Sequence, residues 1–212
     1  MDRNREPFIS LALYHTLKWS VVSPMFHTYF RGQIYGAENV PQSGPLVVVS
    51  NHASYFDPPI VSNCVRRPVA YMAKEELFDI PILAQVIKLY GAYPVSRGNA
   101  DRNAIRSALE YLNHGWAVGV FLEGTRTPDG RITDPKRGAL LLAAKAKAPI
   151  LPVSLLGTEG ILQKGSKIPR SVPVTIRIGN LIDPPNSTNK QELEMLTQKC
   201  ATVINEMHEL GQ

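Results

Sequence analysis

The stretch Val47–Ile60 reads VVVSNHASYFDPPI. A run of valines stops at Ser50, and a polar Asn51-His52 follows at once. Continuous apolar character without alternation marks a strand buried on both faces, as in parallel sheets. Asp57 ahead of Pro58 then reads as a helix start. An Asp at the N-cap and a Pro at the first helical position both suit the unpaired N–H groups found there. The stretch therefore predicts a strand, a turn and a helix, with an imidazole and a carboxylate in or beside the turn.

Outward from this point the same alternation continues. Leu46–Ser50, Val69–Met72, Ala117–Leu122, Ile150–Leu155 and Val172–Ile178 are short, rich in Val, Ile and Leu, and bounded by Gly, Pro or polar residues, so they predict strands. Asp101 to Asn113 places Ile105, Ala108, Leu109 and Leu112 on one helical face and stops at His114-Gly115. Gly138 to Lys147 predicts a short Ala/Leu helix. The last helix opens on Thr188 with Gln191 three residues later, a capping box. Its Leu193, Leu196, Cys200, Val203, Met207 and Leu210 form an apolar stripe. Strands alternating with helices predict an α/β fold with a mostly parallel central sheet flanked by helices. Ligands in such sheets gather beyond the carboxyl ends of the strands.

A chain of 212 residues fits one large domain and buries enough surface to need neither disulfide nor metal. The two cysteines, Cys64 and Cys200, lie far apart without metal-type spacing, which points to a reducing cytoplasm. The net charge of +5 suits nucleic acid, an anionic membrane or a phosphorylated substrate. The basic residues form no run, and the aromatics concentrate at the N-terminus rather than among basic clusters, which argues against nucleic acid.

Residues 7–30 carry a single Lys or Arg, Lys18, with polar interruptions and a break at Pro24, so they make a poor spanning helix. No compact apolar core with a cleavage site marks a signal peptide. Phe8, Tyr14, Trp19, Phe26, Tyr29 and Phe30 suit either of two roles: two helices packed on the domain's own core, or a pair lying at a lipid–water boundary.

His52 and Asp57 have bland readings, a loop histidine and a helix cap. Five residues along a straight helix would set their side chains about 140° apart. A strand end, a turn and a helix start can bring them together. The carboxylate would then accept the imidazole Nδ1–H and leave Nε2 as a base. No Gly-x-Ser-x-Gly elbow exists, and Walker-A, GxGxxG and HExxH patterns are absent, so the base is expected to deprotonate a hydroxyl of the substrate. Three cations follow strand ends: Lys74, Arg97 with Gly98 in YPVSRG (93–98), and Arg126 in FLEGTRTPDG (121–130). A guanidinium donates two bonds in register to a phosphate, although a lone surface Arg is usually just solvated.

Together these segments resemble the 1-acyl-glycerol-3-phosphate acyltransferase family of the glycerolipid acyltransferases, over roughly residues 32–180. The resemblance rests on NHASYFD with its His-x4-Asp pair, YPVSRG, FLEGTR, and APILPVSL at 148–155. Leu122 departs from the proline usual before Glu-Gly-Thr-Arg. The resemblance implies direct transfer of an acyl group from acyl-CoA or acyl carrier protein to the sn-2 hydroxyl of lysophosphatidic acid, giving phosphatidic acid for phospholipid biosynthesis. His52 would be the base and Asp57 its orienting carboxylate. Arg97 and Arg126, with Lys74 nearby and Gly98 beside Arg97, would hold the phosphate. Glu123, Gly124 and Thr125 would shape that pocket, or Glu123 would hold Arg126. Neither a cofactor nor a metal is implied beyond the acyl co-substrate.

The resemblance also favours residues 1–31 as amphipathic docking helices on the cytoplasmic face of an anionic membrane, peripheral or monotopic, with the acyltransferase domain over 32–212. Glycerol 3-phosphate or another lysophospholipid as acceptor, and a non-catalytic anionic-lipid binding protein, stay open as alternatives. A binding protein has no use for a base.

Overall fold

The computed structural model describes residues 8–89, 91–95, 102–162, 166 and 168–211. The seven strands of its sheet are β1 (Gln33–Tyr35), β2 (Leu46–Ser50), β3 (Val69–Lys74), β4 (Ala92–Val95), β5 (Ala117–Phe121), β6 (Ile150–Leu156) and β7 (Thr175–Ile178). They lie in the order β1-β7-β6-β2-β5-β3-β4. Every pairing is parallel except β6 with β7. The flanking helices are α1 (Phe8–Leu17), α2 (Asp57–Val65), α3 (Pro81–Leu89), α4 (Arg102–Asn113), α5 (Gly138–Ala146) and α6 (Lys190–Glu209).

All five residues of β2 are buried because alternate side chains feed two separate cores. Val47 and Val49 join Ala108, Leu112, Leu140, Leu142, Cys200 and Ile204 of α4, α5 and α6. Leu46 and Val48 join Ile60, Val61 and Cys64 of α2 on the opposite face. The expected α/β architecture is the observed one, and β2, fully buried at the middle of the sheet, ends where the described chemistry begins.

Phe26 and Phe30 belong to that second core and are 1% and 0% exposed. The helical path from Phe8 does not break at Pro24, whose backbone stays helical (φ −58°, ψ −45°). Wide π-type turns at Lys18–Val22 and Met25–Tyr29 absorb the missing N–H, with Phe30 N–H donating five residues back to the Met25 carbonyl at 3.0 Å. Among the described residues, no helix is long and apolar enough to cross a membrane.

β1 escapes the sequence pattern, and β4 shows there only as the short apolar segment ahead of Arg97. Each is three or four residues long and lies at a sheet edge, too short for a periodicity to register. β7 begins at Thr175, after Pro173, not at Val172. α6 is capped by Asn189, whose Oδ1 accepts the Gln191 N–H at 2.9 Å, in place of Thr188. Its buried face runs Leu193, Thr197, Cys200, Ala201 and Ile204, a 3.6-residue rhythm that leaves Leu210 beyond the helix end and 69% exposed.

Candidate active site

The turn between β2 and α2 is organised by Asp57. Its Oδ2 accepts His52 Nδ1–H at 2.7 Å, the Ala53 N–H at 2.7 Å and the Ser54 N–H at 2.8 Å. Two backbone donors pointing back at one oxygen fold residues 53–56 tightly, and this brings the imidazole round to meet the carboxylate. Asp57 is therefore the first residue of α2 and not its N-cap: Phe56 holds that position, and the carboxylate serves the residues before the helix. The carboxylate is fully buried, while the imidazole keeps 18% of its surface exposed. A carboxylate only accepts, so Nδ1 carries the proton and Nε2 is left with its lone pair.

Neighbouring elements fix the ring. His52 stacks on Phe121, the last residue of β5, at 3.9 Å between centroids and 13° between planes. Phe121 in turn lies 5.9 Å from the Tyr71 ring of β3. Tyr71 has room because the residue beneath it in β5 is Gly119; a Cβ there would lie 2.1 Å from Tyr71 Cε1. Asn51 anchors the strand end from behind. Its amide donates to the carbonyls of Gly130 and Leu155, both at 2.8 Å, and its Oδ1 accepts Leu155 N–H at 2.8 Å. Gly130 has φ +70°, and a Cβ there would meet His208 Nε2 at 3.0 Å and Asn51 Nδ2 at 3.2 Å.

The loop after β5 is tied to the same turn. Thr127 N–H donates to the His52 carbonyl at 2.8 Å, and Thr127 Oγ1 does so at 3.2 Å. One residue earlier, the Arg126 guanidinium lies 3.7 Å from the ring centroid of Tyr55 and donates to its hydroxyl at 2.9 Å. Arg126 is thus beside the His52–Asp57 turn, exposed and cationic. Gly124 and Thr125 are exposed on the same loop.

Glu123 does not hold Arg126, the second of the two roles expected of it. Its Oε1 accepts from Thr133 N–H, from Thr133 Oγ1 at 3.1 Å and from Asp134 N–H at 2.9 Å, so it pins the returning loop and is committed there instead of to Arg126. Desolvation pushes its pKa up, but these donors outweigh that and hold it below the ordinary 4.5. Lys74 ends β3, two strands from β2, with Nζ 4.0 Å from Glu76 Oε1. Arg97 and Gly98 lie outside the described residues. Among the described residues, no group of three His, Cys, Asp or Glu side chains could hold a metal ion.

Asn51, Tyr55, Phe121 and Thr127 were not singled out from the sequence. The one signal available was adjacency: Asn51 and Tyr55 lie inside the NHASYFD stretch itself.

This arrangement sets an imidazole of defined tautomer at the carboxyl edge of a mostly parallel sheet with an arginine alongside, and relatives carry a similar scaffold. The chain is 32% identical over 169 residues to a chloroplastic 1-acyl-sn-glycerol-3-phosphate acyltransferase of Brassica napus, matching 78% of this chain and 47% of that one. A 1-acyl-sn-glycerol-3-phosphate acyltransferase of Bacillus subtilis is 27% identical over 179 residues, covering 82% of this chain and 87% of that protein. The chain spans about half the length of the plant and algal relatives it matches. Among solved structures, the 1-acyl-sn-glycerophosphate acyltransferase PlsC from Thermotoga maritima superposes with a TM-score of 0.74 at 28% identity, over 95% of this chain and 86% of that one. Residues 31–156, which run from the last turn before β1 to the end of β6 and so enclose the whole His52–Asp57 site, match the Acyltransferase family, to which this chain belongs.

Proposed function

We propose that the protein transfers a fatty acyl group from an acyl thioester to the free sn-2 hydroxyl of a 1-acyl-glycerol 3-phosphate, yielding phosphatidic acid. The observation that carries this reading is the 2.7 Å contact of His52 Nδ1–H with a buried Asp57, which leaves Nε2 as an acceptor for a substrate hydroxyl. The hydroxyl oxygen attacks the thioester carbonyl carbon while its proton passes to Nε2. The tetrahedral intermediate then collapses, the C–S bond breaks, and Nε2 returns the proton to the departing thiolate. Asp57 stabilises the imidazolium between those steps.

No acyl-enzyme is required. Ser50 Oγ donates to the Asn51 carbonyl at 3.0 Å, and buried Ser54 Oγ accepts the Phe56 N–H at 3.3 Å, so both nearby hydroxyls are engaged in the turn. Arg126 is the described cation suited to the acceptor phosphate, with Arg97 and Lys74 as further partners. The relatives' names support lysophosphatidic acid as acceptor; the reading takes acyl-CoA or acyl carrier protein as co-substrate and calls for no separate cofactor.

The acceptor and the product are lipids, and the reading places the protein on the cytoplasmic face of an anionic membrane through its N-terminal segment. Trp19, Val21 and Tyr29 are 65%, 48% and 42% exposed there, while Tyr14, Phe26 and Phe30 face inward. Removal of residues 1–31 would also open the core, so Trp19→Ser with Val21→Ser is the cleaner probe. Flotation with anionic vesicles should weaken for that double variant; unchanged flotation argues against this docking site.

The decisive assay offers purified protein, with lipid vesicles, lysophosphatidic acid or glycerol 3-phosphate against acyl-CoA and acyl carrier protein donors. Phosphatidic acid should form from lysophosphatidic acid, and His52→Ala should abolish it with the fold unchanged by circular dichroism. Acylation of glycerol 3-phosphate alone, or a fully active His52→Ala protein, overturns the assignment.

A further inference from the structure

We infer that Tyr55 is a positioning residue for the acceptor phosphate: its ring and hydroxyl hold the Arg126 guanidinium at a set place beside His52 and so make the site selective for a phosphate-bearing glycerol. The inference rests on the reading of Arg126 given above and adds a residue to it.

A long arginine on an exposed loop ordinarily samples many rotamers and loses that freedom on binding an anion. Here two restraints act before any ligand arrives. The Arg126 guanidinium carbon sits 3.7 Å from the Tyr55 ring centroid, and one N–H is spent on the phenolic oxygen at 2.9 Å. Cation–π contact and a charge-assisted hydrogen bond to one side chain fix both the tilt and the rotation of the guanidinium. Four of its five N–H donors are left for an anion.

The perch belongs to the catalytic turn itself. Tyr55 lies between His52 and Asp57, and Thr127, the residue after Arg126, is bonded through its N–H to the His52 carbonyl at 2.8 Å. The base and the cation are therefore tied together twice, once through backbone and once through side chains. In a 1-acyl-glycerol 3-phosphate the reacting hydroxyl and the phosphate ester occupy adjacent carbons, so the distance between base and cation must be held for both to engage. A tyrosine 61% exposed has little packing to contribute to the fold. Its geometry points to the ligand instead.

The test compares Tyr55→Phe and Tyr55→Ala with the wild type and with each on an Arg126→Ala background. Lysophosphatidic acid and the matching monoacylglycerol, which lacks the phosphate, serve as acceptors. Tyr55→Ala should raise the lysophosphatidic acid KM about tenfold and Tyr55→Phe about threefold, with kcat, the donor KM and any monoacylglycerol rate within about twofold. On the Arg126→Ala background neither change should add anything, because the group being positioned is gone. The same comparison made by binding lysophosphatidic acid to His52→Ala protein, which turns nothing over, separates this inference from the proposed reaction. Loss of affinity in Tyr55→Ala only where Arg126 is present supports it even if the wild type forms no phosphatidic acid. An unchanged KM and affinity, an effect that adds in full to Arg126→Ala, or an equal loss with monoacylglycerol overturns it.

Discussion

Asn51 and Leu155 hold each other by a reciprocal pair of hydrogen bonds, amide to carbonyl and N–H to amide oxygen, both at 2.8 Å. The pair bridges the ends of β2 and β6 one residue before the His52 imidazole. With the further bond to the Gly130 carbonyl, one fully buried side chain satisfies three backbone groups.

Asn51→Ala should therefore cost about 2–4 kcal/mol, since it strands buried donors and acceptors as well as removing bonds. Asn51→Asp should be at least as harmful, because a carboxylate would face two carbonyl oxygens. Urea unfolding monitored by circular dichroism measures the first effect. A loss below about 0.5 kcal/mol would contradict the anchoring role.

Gly119→Ala tests the aromatic stack. The new methyl meets the Tyr71 ring at 2.1 Å, and Tyr71 passes any shift to Phe121 and so to His52. Overpacking of this kind costs about 1–3 kcal/mol, and kcat should fall with it. Tyr71→Leu in the Gly119→Ala background should recover stability, because it removes the colliding ring edge.

Glu123→Ala should loosen the loop that returns through Thr133 and Asp134 and lower stability by about 1–3 kcal/mol. Its effect on the acceptor KM should be indirect and smaller than that of Arg126→Ala. Steady-state kinetics on both variants checks the ranking. A Glu123→Ala protein of unchanged stability but much raised KM would restore Glu123 to the phosphate pocket.

Stability should fall steeply in alkali. Burial pushes the Cys64 thiol from the ordinary 9.0 to about 12 and Cys200 to about 11, and it pushes the Tyr14 phenol from 10.0 to about 12. Above about pH 9 the unfolded chain releases these protons while the folded chain keeps them, so the folded state loses ground as pH rises. Lys18 acts oppositely: burial lowers its pKa, so its cost is relieved as pH climbs toward 10.5. The acids outnumber it. Thermal melts between pH 7 and 11 should show a monotonic decline above 9, and Cys64→Ala should flatten it.

The parts of this protein that could be read before any coordinates are those where chemistry and burial coincide locally. β2, β5 and β6 announce themselves because central parallel strands must be apolar on both faces. The His52–Asp57 pair was legible because a strand end, a turn and Asp-Pro-Pro leave few paths for the chain. Tyr55 and Thr127 were not, since their partners lie 71 and 75 residues away in sequence. That Glu123 would pin the loop rather than hold Arg126 was not legible either, since its partners Thr133 and Asp134 lie ten and eleven residues on.

The placement of Phe26 and Phe30 within the core shared by β2, β6 and α2 carries a mechanical consequence. An enzyme moored through a floppy leash can bob and swivel over a bilayer, and each lipid must find its opening by chance. If the N-terminal segment docks on lipid as proposed, a mooring post built into the body of the molecule would hold that opening at constant height and heading. Diffusion in the plane of the lipid, rather than tumbling of the protein, would then set how often a substrate arrives.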